Sequence, residues 1–168
     1  MPVNLEIKVP IQNPSKLKTL VKKIGGKLIY SCKQVDVYYK VKSGRLKVRD
    51  SKGEKSIIFY NRIEDGNERW SDYEVIKVEN PKNWIKFFDN FLDRLIIVDK
   101  YRTLYHLKNT RIHFDKVKNL GYFIELETKI VKTKKEARKE FNEICKMLEI
   151  DFNKQIQKSY SDILLKQD

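Results

Sequence analysis

A chain of 168 residues with 36 Lys and Arg against 23 Asp and Glu carries a formal charge of +13, which favours an anionic partner: nucleic acid, an acidic surface or a small phosphorylated ligand. Cys32 and Cys145 stand far apart with no CxxC neighbour, which argues against a zinc site or a disulfide framework. No run approaches a membrane span and the N-terminus does not read as a leader, so a soluble, cytoplasmic protein with one domain over residues 1–168 is expected.

Val3 to Val9 alternates cleanly, with Leu5, Ile7 and Val9 on one face and Asn4, Glu6 and Lys8 on the other, the period of a half-buried strand. Asn13-Pro14-Ser15 starts a helix whose apolar residues Leu17, Leu20, Val21 and Ile24 recur at helical spacing until Gly25-Gly26. Two extended segments, Lys27–Ser31 and Gln34–Val41, follow, the second rich in β-branched and aromatic residues. After the Ser43-Gly44 turn, Arg45, Lys47 and Arg49 share one strand face. Cations at alternate positions repel, and an anion among them relieves this. A hairpin turn at Asp50–Gly53 leads to a strand at Ser56–Arg62, a polar loop at Glu64–Glu68 and a strand at Trp70–Val78.

Pro81 opens a second helix, with Trp84, Phe87, Phe88, Phe91, Leu92 and Leu95 giving a broad aromatic stripe expected to pack into the core. Three charged strands then run between Val98 and Ile130. Lys100 and Arg102 fall on one face of the first, Arg111, His113 and Asp115 on one face of the second, and Glu125 and Glu127 with Phe123 on one face of the third. A helix over Thr133–Glu149 and a short one over Ser159–Leu165 complete the chain.

Pattern alone leaves two architectures open. The charged faces could line the inside of a closed barrel of about eight strands, which removes exposed edges, or lie on an open sheet that binds nucleic acid. A charged lumen is costly unless its ions are paired or met by a ligand.

Several segments resemble one family. NLEIK at the start is similar to the ExExK signature of the CYTH superfamily, the triphosphate tunnel metalloenzymes, which include class IV adenylate cyclases and several triphosphatases. QVDVYY at Gln34–Tyr39 resembles the cyclase-type QxDxYF segment, and GRLKVR at Gly44–Arg49 the basic strand after it. Lys100 and Arg102 match a later KxR pair, RIHFDKVKNLGYFIELE matches the strand, aspartate, LG turn and ExE strand, and SYSDILL matches the cyclase-group tail. Order and spacing agree over nearly the whole chain. One position departs: Asn4 stands where the first signature Glu is expected, keeping an oxygen donor but losing a charge and a base.

The resemblance implies an α+β fold, a closed eight-stranded antiparallel β-barrel or triphosphate tunnel with helices packed outside. It implies a metal-dependent enzyme of the class IV adenylate cyclase type, converting ATP to cyclic AMP and pyrophosphate. The alternatives are a hydrolase of inorganic triphosphate, thiamine triphosphate or a nucleoside triphosphate, and a non-catalytic binder of triphosphorylated ligands or RNA ends. Lys8, Arg45, Lys47, Arg49, Arg62, Lys100, Arg102 and Arg111 would bind the triphosphate, with Lys8, Arg49, Lys100 and Arg102 catalytic. Glu6, Asp115, Glu125 and Glu127 would hold Mg2+ or Mn2+. The expected partner is a small-molecule triphosphate, with nucleic acid limited to triphosphorylated RNA ends, no membrane, and room for a homodimer.

Overall fold

The computed structural model describes residues 3–65 and 68–167, with only the backbone described at 3, 62–65 and 68–71. Eight antiparallel strands carry the fold: β1 (Val3–Pro10), β2 (Lys27–Tyr39), β3 (Arg45–Ser51), β4 (Ser56–Asp65), β5 (Glu68–Lys77), β6 (Arg94–Leu107), β7 (Thr110–Val117) and β8 (Gly121–Lys129). In space they run β1-β5-β4-β3-β2-β6-β7-β8, with β1 reaching both β5 and β8.

These pairings run in a complete ring, so the eight strands form a closed barrel, and the pairings are uneven in length. β1 meets β5 only from Val3–Asp72 to Glu6–Arg69, so β5 beyond Asp72 lacks a β1 neighbour. β3 reaches only from Gln34 to Tyr39 along β2, whose first half, Lys27–Lys33, pairs with β6 alone. The result is a closed barrel of uneven height, in which β5 and β2 run past their neighbours at these two overhangs. Alternation had indicated which face each side chain takes; it holds no information on how far each strand runs past its neighbour.

The apolar faces point outward into helices. Leu5, Ile7 and Val9 of β1 join Ile112 and Phe114 of β7 and Ile124 and Leu126 of β8 in one core cluster. α1 (Pro14–Lys23) and α3 (Lys134–Met147) cover it with Val21, Phe141, Ile144 and Cys145. Burying such a stripe stabilises the sheet by about 25 cal/mol per Å2 of apolar surface. Asn13 and Thr133 cap the two helices through their side chains.

α2 (Pro81–Phe88) is shorter than its aromatic stripe suggested, because the chain turns after Phe88 and β6 already begins at Arg94. Only part of the stripe is core: Ile85, Phe88 and Leu92 pack on Val37, Tyr39 and Val48, whereas Trp84, Phe87 and Phe91 are exposed. The two segments expected at Lys27–Ser31 and Gln34–Val41 are one 13-residue strand with a register irregularity near Leu28–Tyr30. The polar loop expected at Glu64–Glu68 is taken up by strand ends, and its middle lies outside the described residues. α4 (Tyr160–Leu164) starts at a capping box made by Ser159 and Asp162.

Candidate active site

The interior of the barrel holds a cavity of about 470 Å3, and its lining is mostly ionic. That volume falls in the range of small-molecule sites. Lys8 of β1, Lys47 and Arg49 of β3, Lys100 and Arg102 of β6, and Arg111 and His113 of β7 line it together with Glu6, Glu125 and Glu127. Strand alternation places them there. Each sits in phase with its neighbours, and the outward positions between them are apolar or aromatic on most strands.

Two clamps of the same design hold the cations. On β2 and β3, Asp36 faces Arg49 in register, accepting from its Nε at 2.8 Å and Nη2 at 2.9 Å and from Lys47 Nζ at 3.0 Å. On β6 and β7, Asp115 faces Arg102, accepting from its Nε at 2.7 Å and Nη2 at 2.6 Å, with Lys100 Nζ at 3.5 Å. Such two-point pairs fix the plane of a guanidinium. Burial pushes both aspartates up, but Arg49 with Lys47, and Arg102 with Lys100, overrule it and hold each well below the usual carboxylate range. Glu54, just past the β3 end, takes Arg49 Nη1 at 2.8 Å.

Burial lowers the pKa of Lys100, the neighbouring Arg102 lowers it further, and Asp115 and Asp36 only partly restore it, leaving a value of about 7.

The acidic wall is built by β1 and β8. Glu6 faces Glu127 and Lys8 faces Glu125 across that pairing, and Lys8 Nζ lies 3.4 Å from Glu125. Arg102 Nη2 also reaches Glu125 at 3.2 Å, while Glu127 pairs with Arg111 at 2.7 Å and His113 Nε2 at 3.0 Å. Burial, and then Arg102, lower the pKa of His113, whose Nδ1 is buried with no hydrogen-bond partner among the described residues.

One end of the cavity is stopped by α4. Tyr160 donates to Asp115 Oδ2 at 2.9 Å, Lys8 and Lys100 lie 4.1 and 5.0 Å from its ring centre, and Phe123 meets it edge-on. The opposite rim, with Ile29, Val75 and Lys77, is exposed and adjoins Tyr30, Ile58, Tyr73 and Leu104.

Among the described residues no group of three or more His, Cys, Asp or Glu is gathered tightly enough to hold a metal ion. Asp115 does not fit that role, since Arg102, Lys100 and Tyr160 take up its oxygens. Glu6 and Glu127 do fit in chemistry, being two hard oxygen donors placed in register on neighbouring strands, with Glu127 holding Arg111 and His113 through Oε2. Magnesium is commonly held by one or two carboxylates with water and substrate phosphate rather than by a full protein cage.

Of the residues singled out from sequence, Lys8, Lys47, Arg49, Lys100, Arg102, Arg111, Glu6, Glu125 and Glu127 come together at the cavity. Arg45 does not: its Nη2 lies 2.6 Å from Asp162, tying β3 to α4. The Arg62 side chain lies outside the described residues. Sequence reasoning assigned no role to Asp36, Glu54 or Tyr160. Asp36 was detectable, being in phase with Gln34 and Tyr38; Glu54 follows a turn, where periodicity gives no signal.

Comparison with known proteins bears on the fold and the family. A Methanocaldococcus jannaschii protein provisionally named an adenylate cyclase is 26% identical over 171 residues, covering 96% of this chain and 98% of its own. The structure of the PH1012 protein from Pyrococcus horikoshii superposes with a TM-score of 0.81 at 22% identity, over 95% of this chain and 98% of that one. A Hippeastrum protein, provisionally named an adenylyl cyclase and described as having a dominant triphosphatase activity, gives a TM-score of 0.68 at 10% identity, over 100% and 97% of the two chains. The CYTH domain matches residues 3–160, and the chain belongs to that family.

Proposed function

We propose that the cavity binds a nucleoside triphosphate and that the chain acts as a class IV adenylate cyclase-like enzyme, converting ATP to cyclic AMP and pyrophosphate. The observation that carries this reading is the facing of two Asp-anchored Lys-Arg clamps, Lys47 with Arg49 and Lys100 with Arg102, by a wall of glutamates. Phosphoryl chemistry asks mainly for alignment and for neutralisation of developing charge. The clamps supply preorganised N–H donors, and Lys8 and Arg111 extend them along the wall; Arg62 keeps the phosphate-binding role that the family resemblance implies. Tyr30, Tyr73, Ile58 and Leu104 offer the nucleoside a less polar end.

In the cyclase reaction the ribose 3′-oxygen attacks the α-phosphorus while the bond to the bridging oxygen breaks. Pyrophosphate leaves with its new charge among Arg49, Lys100 and Arg102. Mg2+ or Mn2+, held by Glu6 and Glu127 with Glu125 beside them, would supply further charge neutralisation. Asn4 leaves that wall one carboxylate poorer than the ExExK pattern.

Hydrolysis of inorganic triphosphate, thiamine triphosphate or a nucleoside triphosphate is the second reading. The same clamps would serve a water nucleophile, and the Hippeastrum neighbour described as having a dominant triphosphatase activity favours this reading. Product analysis from ATP and from tripolyphosphate, with and without Mn2+, decides between them. Cyclic AMP with pyrophosphate identifies the cyclase, and orthophosphate the hydrolase. Glu127→Gln should lower turnover about 100-fold or more with the fold intact. No turnover of any triphosphate, with tight metal-independent binding of triphosphorylated RNA, would leave a non-catalytic binder instead.

A further inference from the structure

The cavity does not account for the chain's charge. Its lining contains seven Lys and Arg and four Glu, and Asp36 and Asp115 are paired directly behind it, so almost all of the +13 excess lies outside. One part of that exterior is ordered in a way a merely solvated surface is not. On the convex face of β2, β6, β7 and β8, Lys33 faces Tyr101, Tyr101 faces Lys116, and Lys116 faces Tyr122, each in register with the next. A row of alternating cation and ring therefore crosses four strands. No helix covers it: Tyr101 is 50% and Tyr122 39% exposed.

The row is also held in place. The Tyr101 hydroxyl donates to the Ser31 carbonyl at 3.3 Å, which lays the ring across β2. Lys116 Nζ lies 5.5 Å from the centre of the Tyr122 ring. Lys118 borders the same surface hollow of about 490 Å3, in which Asp99, paired with Lys33 at 3.1 Å, is the one acidic residue among those described. In the adjoining row Lys18 of α1 reaches Thr103 at 3.2 Å, adding a further cation at the edge.

We infer that this convex ladder is a second binding site, separate from the cavity, for single-stranded nucleic acid. Bases stack on exposed aromatic rings irrespective of sequence while lysines track the phosphates, and each base–ring stack contributes about 1–3 kcal/mol. Tyr101 and Tyr122 stand two strand spacings apart, roughly 10 Å, with a lysine between them for the intervening backbone. A free nucleotide would use one ring at most; the repeat across four strands suits a chain.

The test is fluorescence anisotropy of a labelled oligouridylate with a 5′-hydroxyl end, which lacks the triphosphate that the cavity would take, on the full chain at two or more salt concentrations. Binding is expected to persist in saturating tripolyphosphate. Tyr101→Ala and Tyr122→Ala should each weaken it roughly tenfold or more, whereas Tyr101→Phe, which keeps the ring, retains it. Lys116→Gln should lower the salt slope by about 0.7. All three positions are exposed, so melting temperature and triphosphate turnover should stay at wild-type levels. Absence of oligonucleotide binding, unchanged affinity in both alanine variants, or displacement by tripolyphosphate would each overturn the inference. None of these outcomes bears on the cavity's own activity.

Discussion

At position 100 two demands oppose one another. The side chain must be charged to hold a phosphate, yet it is buried beside Arg102, and its pKa has fallen to about 7. A bound triphosphate favours the charged form, so binding above pH 7 should draw a proton onto Lys100. At pH 8, titration calorimetry of tripolyphosphate in buffers of different ionisation enthalpy should find that the wild type takes up about one proton more per ligand than Lys100→Met. Comparison with the variant cancels the titration of the ligand itself. Equal uptake by the two proteins would mean that Lys100 does not meet the phosphates. The same lowered value has a stability consequence: the folded protein binds fewer protons than the unfolded chain between pH 7 and 10.5, so stability should rise across that window and flatten above it. Lys100→Met should remove the rise.

At the scale of the elements, α4 links the two halves of the site. Asp162 completes its capping box and holds Arg45 of β3, while Tyr160 holds Asp115 of β7. Tyr160→Phe keeps the ring that meets Lys8, Lys100 and Phe123 and removes only the donated hydrogen bond, and should cost about 1 kcal/mol in urea unfolding. Tyr160→Ala also empties the space the ring fills, and should cost about 3–5 kcal/mol. Similar losses in the two variants would show that the hydroxyl matters more than the packing.

The tail also shows what could be read without a structure. SYSDILL announces a helix start through the Ser159 and Asp162 spacing, and the charged faces of β1, β3, β6, β7 and β8 follow from a count of two. Arg45 was misplaced by the same count: it is in phase with Lys47 and Arg49, but it sits at the strand end, where Asp162 comes within reach. The Trp84–Phe91 stripe was legible as apolar, whereas the point at which the helix stops, and hence which rings are covered, depends on β6 beginning at Arg94. Strand overhang has no local signature because it depends on partners distant in sequence.

For the molecule as a whole, the site is assembled from ion pairs that the fold must hold closed without a ligand. Asp36, Asp115 and Glu127 are each drawn well below their ordinary pKa values by the cations they grip, against the opposing effect of burial. A carboxylate whose folded pKa is depressed contributes stability that is present above its unfolded value, near 4, and is lost as pH falls below it. Their contribution to the unfolding free energy should therefore hold steady near neutral pH and fall steeply on acidification below about pH 4. Removing one anchor sharpens the test. Asp115→Asn leaves Arg102 buried with Glu125, 3.2 Å away, as its one carboxylate partner among the described residues, and breaking such a buried pair costs about 3–5 kcal/mol at neutral pH. Because the variant has already lost the titrating group, its acid slope should be shallower, and the wild-type and variant curves should converge as pH falls. Parallel curves would mean that Asp115 is not a source of the acid sensitivity. Tripolyphosphate should act on the same balance from the other side: at about a hundred times its dissociation constant it should stabilise the wild type by about 2.7 kcal/mol through mass action. The gain should be smaller for Asp115→Asn at the same ligand concentration, because a clamp without its anchor no longer holds the Arg102 fork in place for the phosphate.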